Sequence, residues 1–160
     1  MAAVGQAAND FWNFSARNDG MGGWRTSGSV SNLSLADGTG TGVGLTVQNA
    51  LGMWGNGSSD PMYDSYLYPF SGNATITLTN LPAGQYDLYP YANDGNFQVQ
   101  VGGTNYGVKT SQDAAIASPP VWQEGQQYAL SRSLDVGIGQ PVTITVWLGI
   151  YGGRPLTPPP

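Results

Sequence analysis

The sequence predicts an all-β chain: a two-sheet antiparallel β-sandwich, most simply a jelly roll, with an extended N-terminal arm and a proline-rich C-terminal tail. Three observations lead there. Apolar residues recur at every second position in short bursts, and Gly, Pro, Asn and Asp separate the bursts. The 24 glycines and 11 prolines leave little room for long helices.

Taken in order, Leu33 and Leu35 alternate ahead of the turn ADGTGTG, and Val43, Leu45 and Val47 form the next half-buried run. Ile76 and Leu78 sit among threonines in NATITLTN, and LPAG ends that run. Tyr86, Leu88 and the aromatics through Tyr91 make another strand, after which ANDGN returns the chain to Phe97, Val99 and Val101. The pair Gly102-Gly103 marks a tight hairpin into Tyr106 and Val108. Tyr128 and Leu130 mark a late strand. Val142, Ile144, Val146 and Leu148 mark the clearest one, opened by Pro141, where a missing N–H does least harm. Short helical turns are expected only near Ala2 to Asn9 and Gln112 to Ala117.

One domain suffices for 160 residues. Its expected parts are an arm or first strand over 1–28, the sandwich over 29–153 and a tail over 154–160. The ending RPLTPPP favours a polyproline II conformation, because four of its seven residues lack an N–H donor. The start, MAAVGQAAND, has no basic segment of the kind that opens a secretory signal, which predicts synthesis without one or excision from a longer chain.

Composition excludes several kinds of chemistry. There is no histidine and no cysteine, so imidazole and thiol catalysis are absent. Ten acidic and five basic residues give a net charge of -5, and Arg17, Arg25, Lys109, Arg132 and Arg154 are scattered, which argues against nucleic acid. No apolar run approaches the length of a membrane span, so no membrane insertion is expected. An enzyme would have to rely on a carboxylate pair such as Asp60 with Asp64; the expectation is a non-catalytic protein.

Two constellations remain. WGNGSSDPMYDSYLY gathers aromatics beside carboxylates and amides, and Trp54, Tyr63, Tyr66 and Trp122 are the candidate glycan-stacking residues. The competing reading makes these rings plugs at the ends of a sandwich. Asp60, Asp64 and Asp94 are candidate ligands for a structural calcium, being hard oxygen donors in loops, although turn-forming Asp is common for backbone reasons alone. No other cofactor is implied. The run DGTGTGVG is a turn, since neither its spacing nor its flanks suit a dinucleotide loop.

The segments VSNLSLADGTGTGVGLTV, WGNGSSDPMYDSYLY, LPAGQYDLYPYANDGNFQVQVGG and VWQEGQQYAL resemble galactose-binding-like jelly-roll modules of bacterial surface and secreted proteins, over roughly residues 29–150. The resemblance implies a β-sandwich for glycan binding or adhesion, in some members with a structural calcium. The ending YGGRPLTPPP departs from that pattern, standing where such a module has its last strand.

Two functions of different class follow. The first is a structural protein of a large assembly, a capsid decoration or cement protein on a phage virion, made in the host cytoplasm. It would be homo-oligomeric, with Phe11, Trp12 and Phe14 of the arm and Arg154, Pro155, Leu156 and Pro158 of the tail clasping neighbouring subunits. The alternative is an extracellular carbohydrate-binding or adhesion module of a secreted bacterial protein.

Overall fold

The computed structural model describes residues 10–13, 27–50, 52–55, 65–69, 72–112 and 121–148. Among them are ten strands and no helix: β1 (Gly28–Val30), β2 (Gly44–Gln48), β3 (Gly52–Gly55), β4 (Ser65–Tyr68), β5 (Ala74–Thr79), β6 (Gly84–Leu88), β7 (Gly95–Val101), β8 (Thr104–Thr110), β9 (Ser131–Val136) and β10 (Val142–Leu148). Six form one antiparallel sheet in the order β1-β2-β5-β10-β7-β8, while β3–β4 and β6–β9 are separate two-stranded ladders.

The seam of the molecule is the β7–β10 pair, in continuous register from Val142 opposite Val101 to Leu148 opposite Gly95. Side chains alternate across a strand, so one face of this pair carries Phe97, Val99 and Val101 beside Val142 and Ile144, all buried. Leu134 and Val136 of β9 close on them from the second layer, and Tyr86 and Leu88 of β6 pack at the margin. Burying aliphatic side chains of this size contributes about 1.5–3 kcal/mol each. A smaller cluster of Val47, Ala50 and Ala74 receives Leu67 of β4. Both ladders therefore pack on the same, inner, face of the large sheet. The pairings β5–β10, β6–β9 and β7–β8 are nested, outermost strand with outermost.

Two irregularities set local geometry. In β9, Ser133 takes a left-handed φ of 54°, and its N–H donates to Asp87 Oδ1 at 2.8 Å, marking the register shift between β6 and β9. In β8 an extra residue opposes β7, with three steps from Asn105 to Val108 against two from Gln100 to Gln98. Gly107 supplies the required φ of 81°, and its N–H donates to Asn105 Oδ1 at 2.7 Å. Tyr106 still turns inward, and its hydroxyl accepts from the Asp135 N–H at 2.9 Å, tying the edge of the large sheet to the second layer.

Several sequence expectations are corrected by these contacts. Leu33 and Leu35 do not lie in a strand; a single bridge, Ser34 to Gly40, closes a tight turn there, and Leu35 stays exposed. Tyr128–Leu130 is buried but precedes the strand, which begins at Ser131. Val108 faces outward, because the bulge at Gly107 reverses the alternation after Tyr106. WGNGSSDPMYDSYLY begins in the last two residues of β3 and ends in β4, the two arms of one ladder. The three-residue β1 was not anticipated. Gln112 is not helical, its N–H bonding to the Gln126 carbonyl; the other proposed helical positions lie outside the described residues.

Leu134→Ala should lower stability by about 2–5 kcal/mol in urea denaturation, as expected for a buried leucine truncation. Tyr106→Phe should cost about 0.5–1.5 kcal/mol, the net value of one hydrogen bond. A neutral Tyr106→Phe would show that the hydroxyl does not tie the layers.

Candidate ligand-binding face

The outer face of the six-stranded sheet follows from the register. With the core residues pointing inward, their neighbours form rows perpendicular to the strands. One row crosses every strand: Ser29 pairs with Thr46, Thr46 with Thr77, Thr77 with Thr143, Thr143 with Gln100, and Gln100 with Asn105. Ser29 Oγ and Thr46 Oγ1 lie 2.9 Å apart, a cross-strand hydrogen bond along that row. The next row runs Gln48, Thr75, Thr145, Gln98 and Val108. A third, shorter row places Trp147 opposite Asn96, and Asn96 opposite Thr110.

These positions hold hydroxyls, amides, one indole and one exposed valine, and no ionisable group. Threonine suits a strand because its branched Cβ packs on the pleat, and here it also presents a donor and acceptor outward. Trp147 is half-buried, flanked by Asn96 across the ladder and by Thr145 two residues back. The surface offers neutral hydrogen bonding beside an aromatic ring.

The residues chosen from the sequence fall elsewhere. Trp54 and Tyr66 are Cα partners on one rung of β3–β4, and Tyr66 is 49% exposed. Tyr63, Asp60 and Asp64 lie outside the described residues, as do Phe14, Arg154, Pro155, Leu156 and Pro158. Trp122 meets Tyr91 edge to face at 5.4 Å, in a cluster where Tyr128 packs at 5.5 Å from Tyr91 and 5.8 Å from Tyr89. Asp94 occupies the turn before β7 with φ of 51°, and no group of three or more acidic residues gathers among the described residues. Phe11 is about half exposed although its N–H donates to the Ala36 carbonyl at 2.7 Å, and the Asn13 amide clamps Ser34, donating to its carbonyl at 2.7 Å and accepting from its N–H at 2.9 Å. Trp12, beside them, is partly buried.

Contiguous aromatics, such as those of WGNGSSDPMYDSYLY, do not mark the rows. Each row is assembled from strands far apart in the chain. Only repeated Thr-X-Thr spacing, in Thr75–Thr79 and Thr143–Thr145, hinted at it.

Glu124 and Arg132 form the one ion pair among the described residues, a bidentate contact with Nη1 donating to Oε1 at 2.9 Å and Nη2 to Oε2. Both groups are substantially exposed, so the pair orders the turn more than it stabilises the fold. Hydrogen bonding from Arg132 holds the Glu124 carboxyl below its ordinary value of 4.5, with the charges of Arg132 and Lys109 acting in the same direction. The Thr39 N–H does the same for Asp37.

Comparison with protein-family models, with curated proteins and with solved structures finds no match to this chain.

A depressed carboxylate pKa contributes stability that is present above the unfolded value and lost as pH falls through the folded one. Thermal stability should therefore decline on acidification below about pH 4.5. Glu124→Gln should flatten that decline without changing its sign, since Asp37 remains. An acid limb identical to wild type would detach the pair from stability.

Proposed function

We propose that this is a non-catalytic recognition module whose outer sheet face binds neutral glycan, on a sandwich of the jelly-roll type. Nested strand pairing supports the jelly roll, because a long hairpin rolled on itself pairs its strands in that order. The observation that carries the function is the uncharged row crossing all six strands, with the half-buried Trp147 on the same outer face two rows away. Sugar hydroxyls need partners that both donate and accept, which Thr, Gln and Asn provide, and a pyranose ring stacks its C–H face on an indole. In this role Trp147 is the stacking platform, while Thr145, Gln98 and Asn96 bond the hydroxyls around it. A location outside the cell, as a module of a secreted bacterial protein, accords with such a ligand. Tyr66, 49% exposed on β4, provides a second aromatic position, and calcium at Asp94 would serve the turn only.

Phe11 supports a second reading, a clasping subunit of an assembly such as a phage capsid decoration. Its backbone is held to Ala36 while half the ring faces solvent, the arrangement a neighbouring subunit would cover.

Trp147→Ala should reduce retention by neutral polysaccharides in affinity electrophoresis about tenfold, equivalent to about 1.4 kcal/mol, with circular dichroism unchanged. Retention equal to wild type removes Trp147 from the site. For the second reading, light scattering should show concentration-dependent oligomers that Phe11→Ser abolishes; a monomer at all concentrations rejects self-assembly.

A further inference from the structure

We infer that the ligand is an internal segment of a single, soluble, extended polysaccharide chain lying across the strands, and neither a terminal sugar nor a crystalline surface. This rests on the glycan reading above and specifies what the face selects.

The first consideration is direction. The row Ser29, Thr46, Thr77, Thr143, Gln100, Asn105 is continuous from one edge strand to the other. At about 4.8 Å per strand it covers about 24 Å, which is several sugar units of an extended chain. Along a strand the outer positions are fewer: β10 offers Thr143, Thr145 and Trp147 before the described strand ends. A ligand that uses the repeat therefore runs perpendicular to the strands.

The second is openness. Recognition of a chain end relies on a concave pocket that surrounds the terminal ring. Here the six-member row runs from β1 to β8, the outermost strands of the sheet among the described residues, so a chain entering over one edge can leave over the other. Nothing along the row marks a terminus.

The third is charge. Among the described residues the three rows hold no cation to meet a uronate or sulfate, and the protein carries a net charge of -5. A polyanionic glycan would be repelled and left unpaired, whereas a neutral one loses nothing.

The fourth is twist. Neighbouring strands rotate by roughly 20–25°, so the outward side chains fan progressively along the row. A flat crystalline lattice meets only a strand or two of such a surface. A free chain, able to wind with it, meets every strand.

Calorimetry with neutral β-linked oligosaccharides of two to six units tests this. Affinity should rise more than tenfold from the disaccharide to the pentasaccharide and then level off, and reduction of the reducing end should leave the hexasaccharide unaffected. Thr46→Glu, within the six-member row, should weaken the hexasaccharide to the level of the trisaccharide. Soluble polysaccharide should compete, and a microcrystalline form should not pull the protein down. Saturation already at the disaccharide, dependence on a free chain end, or retention by the crystalline form overturns the inference while keeping the glycan reading. Absence of binding at every length rejects both.

Discussion

Everything on both faces of this molecule depends on the register between β7 and β10. Their shared alternation commits Val99, Val101, Val142 and Ile144 to the interior, and the same commitment sends Gln98, Gln100, Thr143 and Thr145 outward. A slip by one residue would exchange the two sets, placing amides in the core and valines in solvent. The core is thus what specifies the outer face, although none of its side chains points to that face. Leu134 and Val136 enforce the arrangement from the second layer, since they fit only against the aliphatic side.

How much of this could be read in the sequence follows from how local each feature is. β5, β7 and β10 show unbroken alternation, and the Gly102-Gly103 hairpin and Pro141 at the entrance to β10 are chemical signals visible in a few residues. Recognition failed wherever alternation was interrupted. β9 is bent by Ser133, whose left-handed backbone is held by Asp87, a residue 46 positions earlier. Gly107 reverses Val108 in a similar way, through a bulge that only the partner strand reveals. β1 is three residues long with two of them exposed, too short to carry a period. Leu33 and Leu35 alternate as a strand would, yet a turn closed by Ser34 and Gly40 holds them.

The candidate face was less legible for the same reason at longer range. Its six-member row draws on positions 29, 46, 77, 143, 100 and 105, an order only strand pairing supplies. Aromatic clusters attract attention in a sequence because they are contiguous, and here one of them, around Tyr91, Trp122 and Tyr128, packs against itself. The poverty of charge was visible from the start, but its placement was not. The structure concentrates neutrality on the outer rows, while Glu124, Arg132, Asp87 and Asp135 lie on the second layer and the turn before it.

The bulge in β8 bears on how the molecule coexists with copies of itself. A regular sheet whose polar rows run out to an open edge is a template on which another strand could continue the pattern, and such growth has no natural end. Gly107 breaks the regular spacing of the outermost hydrogen-bonding groups, and the adjacent Lys109 adds a charge at the rim. The irregularity that keeps Tyr106 as a strut therefore also makes the β8 edge a poor template for a further strand.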